Sequence, residues 1–293
     1  VQSLRAELRS AHAVPDPTIG VHYVLSGEMK GTVPRGGPAS TPWVAGRPQD
    51  TRWGAGNPVV AIVDTGIDRG ASWSSDVAHE DSDIDPLYVA GAPAGTLGSQ
   101  GGHGTFIASL VERMSGGDNA LRSVRVLDVD GSASELEVVQ GLATLRQRPD
   151  SVDLLVVNLS LGGFSDDGGW VPANERDDVF PPSDRNRAPV GLAAELARWA
   201  IERPDTVFVA AAGNDGQSRL FWPAALADPA IEPGMSRPTV VAVGSVQRTL
   251  EPSSFSNTGS WVSVSTLGED IVSEYPVGRF PLTATYSEPF TVR

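Results

Sequence analysis

The stretch Val59-Val60-Ala61-Ile62-Val63-Asp64-Thr65-Gly66-Ile67-Asp68 decides the fold. Five consecutive apolar residues are too few for an independent helix and suit a strand buried on both faces. The run ends in an acid followed by Thr-Gly, a tight turn. Parallel strands deliver their carboxyl ends to one edge of a sheet, where α/β sites form, so Asp64 stands where chemistry is expected. An Asp at a strand end is common in α/β proteins and is weak evidence by itself.

Downstream, strand-like and helix-like segments alternate, the pattern of a parallel sheet with crossover helices. A helix is predicted over His103–Met114, with Phe106, Ile107, Leu110, Val111 and Met114 on one side. Leu121–Val129 has a strand pattern. Ser134–Arg146 follows as a helix, with Ser134 as N-cap and Pro149 closing it. Leu154–Leu161, Val207–Ala212 and Thr239–Val246 read as further strands, and Gly191–Arg203 as a helix stopped by Pro204. Asp166–Ala188 reads as a polar loop.

Composition bounds the rest. The 293 residues suffice for one large α/β domain plus an extension, and 40% hydrophobic content supplies a core. A net charge of −14 argues against a nucleic-acid partner. With no cysteine, disulfides and thiolate chemistry are excluded. No apolar run approaches the ~20 residues that span a bilayer, so no membrane partner is expected; the compartment, secreted or cytoplasmic, stays open. Residues 1–57 form an N-terminal extension to the domain at 58–293. The extension is Gly- and Pro-rich from Gly31 to Pro58, and Trp43 and Trp53 could pin it to the surface; a flexible linker is the other reading. The carboxylates Asp76, Glu80, Asp81, Asp83 and Asp85 lie close together in sequence. They suit calcium or, more simply, a solvated acidic loop.

Two further stretches carry chemistry. His103 lies in Gly101-Gly102-His103-Gly104-Thr105, where small neighbours let backbone and substrate approach the ring. Asn214 follows an apolar strand in Ala210-Ala211-Ala212-Gly213-Asn214-Asp215-Gly216. Its amide can donate to a developing oxyanion, although a turn-forming Asn is the commoner role.

Taken together, the Asp, the His and the Asn, in that order, resemble the subtilisin-like serine proteases, and the resemblance runs from about Pro58 to Ser273. It includes Val157-Asn158-Leu159-Ser160-Leu161-Gly162-Gly163, Ser254-Phe255-Ser256-Asn257-Thr258-Gly259 and Val262-Ser263-Val264-Ser265. The order Asp, His, Ser is the known one of subtilisin and not a derivation from this chain. The resemblance implies a three-layer α/β fold with a mostly parallel sheet and helices on both faces. It also implies peptide-bond hydrolysis through an acyl-enzyme. Asp64 would orient His103, His103 would act as base and acid, and Asn214 would donate to the oxyanion. Ser160, Leu161 and Gly162 would pair with an extended peptide, and Ala211, Ala212 and Gly213 would form the facing wall. No cofactor is required by this chemistry.

One part of the family pattern is missing. The Gly-Thr-Ser that opens the nucleophile helix occurs nowhere in these 293 residues. Ser256, Ser260 and Ser287 lack its context, and Phe280–Tyr286 reads as a strand or hairpin. A following segment, or a second fragment of the same precursor, is expected to carry the Ser. A pseudo-protease that binds peptides without cutting them is the alternative, and an extension that blocks the cleft until cut is a third possibility.

Overall fold

The computed structural model describes residues 24–27, 43–44, 59–73, 76–115, 120–148, 155–165, 188–231, 236–279 and 291–292. The expected loop Asp166–Ala188 lies outside them but for Ala188, and so do Trp53 and Phe280–Tyr286.

Strands β3 (Val59–Asp64), β4 (Asp76–Ala78), β5 (Ala120–Arg125), β7 (Leu155–Leu159), β9 (Val207–Ala211), β10 (Thr239–Val246) and β11 (Val264–Leu267) make a seven-stranded sheet. Its order is β11-β10-β9-β7-β3-β5-β4. Every neighbouring pair is parallel, so all seven carboxyl ends lie at one edge. From β3 the chain reaches β5 on one side and β7 on the other, and this reversal opens a crevice beyond the end of β3.

Alternation along β3 sorts the core into two layers. Val59, Ala61 and Val63 face one way, together with Val157, Leu159, Phe208, Ala210 and Ala242. That face is covered by α2 (Glu135–Gln147) through Val138, Leu142 and Leu145, and by α3 (Val190–Glu202) through Leu192, Leu196 and Trp199. Val60 and Ile62 face the other way, against Ala108, Ile107 and Val111 of α1 (His103–Ser115). The result is the expected three layers.

Local chemistry explains the helix starts. Ser134 caps α2: its Oγ accepts the Glu137 N–H while Glu137 reaches back to the Ser134 N–H, a reciprocal capping box. The first turn of α3 is tied to α2 by the Leu192 N–H, which donates to the buried Glu135 carboxylate at 2.9 Å. Arg146 of α2 pairs with the buried Glu195 of α3 at 2.8 Å, and with Glu202. A buried pair of this kind adds little net stability, because desolvation offsets its attraction; burial of Trp199, edge-on to Phe208 at 5.4 Å, contributes an apolar term.

Two segments before residue 58 pair with the domain. β1 (Val24–Gly27) joins β6 (Ser132–Ser134) and β8 (Leu161–Gly162) in a three-stranded antiparallel sheet, with β1 in the middle. β2 (Trp43–Val44) pairs with β12 (Ile271–Val272). At the other end, β13 (Gly278–Arg279) pairs antiparallel with β14 (Thr291–Val292), flanking the stretch expected as a hairpin. Among the described residues no helix is long and apolar enough to cross a membrane.

The element limits differ from the sequence expectations at strand ends. β5 stops at Arg125, because Val126 and Leu127 turn to donate their N–H groups to the Asp64 carbonyl. The run Leu154–Leu161 is two elements, broken at Ser160, which begins the turn into β8. We predict that Leu142→Ala, which empties a fully buried site between α2 and the sheet, costs about 2–5 kcal/mol. The check is a lower urea midpoint at unchanged slope.

Candidate active site

The crevice beyond β3 holds a buried acid–imidazole pair. Asp64, the last residue of β3, has no solvent exposure, and His103, the first residue of α1, is 6% exposed. His103 Nδ1 lies 2.8 Å from Asp64 Oδ1. An ionised Asp64 can only accept, so Nδ1 carries the proton, and Nε2 is left with a lone pair. The Thr65 N–H donates to the same oxygen at 2.7 Å. Asp64 Oδ2 has no hydrogen-bond partner among the described residues.

The position of His103 depends on how α1 begins. Gly102 has φ +94°, a conformation that side chains rarely adopt, and a Cβ there would run into Pro276 and Tyr275. The Gly104 N–H donates to Thr65 Oγ1 at 3.1 Å, and a Cβ on Gly104 would collide with the Gly66 carbonyl. The Gly-Gly-His-Gly run thus lets α1 abut the turn after β3 backbone to backbone. The segment after β12 straps the same helix start. Ser273 Oγ lies 2.9 Å from the Phe106 carbonyl and 2.9 Å from Ser109 Oγ, and the Tyr275 hydroxyl donates to the Gly101 carbonyl at 2.6 Å.

Asn214 follows β9 by three residues, at the same sheet edge, and is half-buried. Its turn is built on Asn257, 1% exposed, whose Oδ1 accepts the N–H groups of Asp215 at 3.1 Å and Gln217 at 3.0 Å. The Asn257 N–H returns to the Gly213 carbonyl at 2.9 Å. Gly213, at φ +99°, leaves room for the Asn257 amide and Phe221. Asn257 was visible only as part of a family stretch; its role as the turn's anchor was not read from sequence.

Among the residues expected to meet a peptide, Ser160 is half-buried and donates to Asn158 Oδ1 at 3.1 Å. Leu161 is wholly core. Gly162 has Phe221 and the Trp222 carbonyl where a Cβ would stand. The edge of Leu161–Gly162 is already paired: Gly162 faces Ser26 and Leu161 faces Gly27, while Val24, Leu25 and Ser26 face Ser134, Ala133 and Ser132. A strand from before residue 58 therefore occupies the Leu161–Gly162 edge that was expected to meet a peptide. Of the facing wall, Ala211 is half-buried and Gly213 sits at the turn, but Ala212 is 1% exposed and packs in the main core.

The acidic stretch is split: Glu80 and Asp81 are exposed, as in a solvated loop, while Asp83 and Asp85 are buried. Asp76 belongs to β4. Asp83, 5% exposed, accepts the Glu80 and Arg125 N–H groups and pairs with Arg148 at 3.0 Å. Asp81 pairs with Arg69 at 2.6 Å. Asp85, 3% exposed, accepts from Thr65 Oγ1 at 2.7 Å and from the N–H groups of Gly102 and Leu87 at 2.8 Å each. Burial pushes its carboxyl above the ordinary range; the three hydrogen bonds pull it back and the nearby Asp64 charge pushes it up again. No three His, Asp or Glu side chains among the described residues converge on one point. Among the described residues, Asp83 and Asp85 spend their carboxylate oxygens on Arg148, Thr65 and backbone N–H groups.

A buried Asp–His pair at the carboxyl edge of a parallel sheet is an arrangement that serine hydrolases use. The chain belongs to the subtilase family (peptidase S8), whose model matches residues 55–290. It is 30% identical over 223 residues to a subtilisin-like protease of Coccidioides posadasii, covering 74% of this chain and 45% of that protein. It is 26% identical over 236 residues to mycosin-3 of Mycobacterium tuberculosis, covering 73% and 49%. A crystal structure of a cold-adapted subtilisin-like serine proteinase matches with TM-score 0.47 at 22% identity, covering 79% of this chain and 71% of that one. The chain spans about half the length of such curated relatives.

We predict that Asn257→Ala, which strips two backbone N–H groups of their acceptor, destabilises the domain by about 1–3 kcal/mol. The loss is read from denaturant unfolding.

Proposed function

We propose that this chain carries the Asp, His and oxyanion-hole parts of a serine endopeptidase, and that the Ser is supplied by a following segment or a second fragment of the same precursor. The observation that carries this reading is the buried 2.8 Å contact between Asp64 and His103 at the carboxyl edge of the sheet. Asp64 holds the Nδ1–H tautomer and stabilises the imidazolium. His103 Nε2 takes the Ser proton as the hydroxyl attacks the scissile carbonyl, then gives it to the departing amine. Asn214 donates to the carbonyl oxygen as it becomes an oxyanion. Water then attacks the acyl-enzyme with His103 again as base.

The sheet supports an additional helix on the side of α1. Val209, Ala211, Val241 and Val243 share that face and are only half-buried, and Val264 beside them is 51% exposed. The other face of the same strands is closed, with Phe208, Ala210 and Ala242 at zero exposure. An apolar face of this extent seeks a cover. A Ser-bearing helix beside α1 would both cover it and bring its hydroxyl to His103. The substrate is a peptide or protein held as an added strand. Relatives named as extracellular proteases favour secretion.

The position of β1 favours a second reading alongside the first: the extension is an occupant of the substrate cleft that must leave before a substrate enters. Ser26→Pro removes a backbone donor and fixes φ in the middle of β1. We expect it to strengthen binding of a fluorescent extended peptide by about tenfold or more, through a larger fraction of open cleft. Unchanged polarisation titrations would sink this reading.

The activity itself is tested with a fluorophosphonate probe and intact mass. An adduct on a longer chain or a co-purifying fragment is expected, and His103→Ala should abolish it. No adduct on any species, with peptide binding retained, would leave a peptide-binding pseudo-protease. In the competent enzyme, Asn214→Ala should lower kcat by about 10²–10³, the loss known for the corresponding donor of subtilisin and taken over by analogy.

A further inference from the structure

One buried carboxylate close to the site takes no part in the mechanism above. We propose that Asp85 is a positioning residue for the Asp64–His103 pair, acting through Thr65 and through the peptide bond between Gly101 and Gly102. The inference rests on His103 being the site's imidazole, but it concerns the geometry of the pair and not turnover.

The contacts form a closed circuit. Asp85 Oδ2 accepts from Thr65 Oγ1 at 2.7 Å and from the Gly102 N–H at 2.8 Å. Thr65 Oγ1 in turn accepts from the Gly104 N–H at 3.1 Å. The Thr65 N–H donates to Asp64 Oδ1, the oxygen that also meets His103 Nδ1. One carboxylate oxygen thereby ties the turn after β3 to residues on both sides of His103. Asp85 Oδ1 accepts from the Leu87 N–H at 2.8 Å, so the carboxylate is itself fixed.

The Gly101–Gly102 peptide is gripped at both ends. Its N–H points to Asp85 and its carbonyl accepts from the Tyr275 hydroxyl at 2.6 Å. Hydrogen bonds at the two ends of one peptide polarise each other, and one further peptide bond joins this one to His103. Tyr275 is held neutral, its hydroxyl pushed well above the ordinary range by burial and then by the Asp85 and Asp64 charges. It serves as a donor at every working pH. The titratable groups in this circuit are Asp64 on β3, His103 on α1, Tyr275 on the strap, and Asp85 itself.

All three partners of Asp85 are donors, so Asp85→Asn removes the charge and offers an NH2 where an acceptor is needed. Proton NMR of the full chain tests the idea without any peptidase activity. In the parent, the Nδ1 proton bridging to Asp64 should give a low-field signal. In Asp85→Asn, with folding checked by circular dichroism, that proton should exchange with water at least about tenfold faster. The His103 titration midpoint should move to lower pH, since a nearby negative charge that favours imidazolium has gone. A folded Asp85→Asn with the parent's signal and midpoint overturns the proposal.

Should Asp85→Asn not fold, Thr65→Ala and Thr65→Ser decide. Loss of the signal in Thr65→Ala with retention in Thr65→Ser supports the circuit. Retention in both, or loss in both, overturns it. A chain that passes this test yet never labels with a fluorophosphonate keeps Asp85 as the positioning residue and loses only the peptidase reading.

Discussion

A carboxylate with no access to water organises this site. Asp64 ends a strand buried on both faces, and desolvation of an anion there is tolerable only if donors surround it. His103 and the Thr65 N–H supply them. For His103 to arrive, α1 must start against the turn after β3, which demands glycine at 102 and 104. The helix start then exposes N–H groups of its own, and Thr65 and Asp85 accept them. Each requirement follows from the one before, and the chain ends up with two buried acids around one imidazole.

The parts of the fold carried by periodicity and end signals were legible in the sequence. Five apolar residues before Asp64, the capping pattern from Ser134 to Glu137, and the prolines after α2 and α3 mark elements that the structure contains within a few residues. The Asp64–His103 contact was legible only through order and context, since nothing in either motif alone brings residues 39 apart within hydrogen-bond reach. Charge in the sequence does not say which acids are buried: Glu80 and Asp81 are exposed, as a solvated loop would have them, while Asp83 and Asp85 are not. What buries Asp83 and Asp85 is long-range: Arg148, Arg125 and the N-terminus of α1 supply the partners, and none is adjacent in the chain.

The two faces of the sheet carry different meanings. The face under α2 and α3 is closed, with large side chains at zero exposure. The face under α1 is closed only over β3 and β5, and over β9 and β10 its valines keep partial access to water. Among the described residues, this asymmetry falls on the strands that lead to Asn214, on the same face of the sheet as α1.

The strand at 24–27 is tethered to the Leu161–Gly162 edge with which it pairs, and this sets a local concentration. A segment joined to its partner edge through a few tens of residues is present there at the equivalent of roughly millimolar ligand. Any competitor for that edge would have to outcompete the tethered strand, so a change of length between residues 27 and 59 would shift the balance without altering the edge itself.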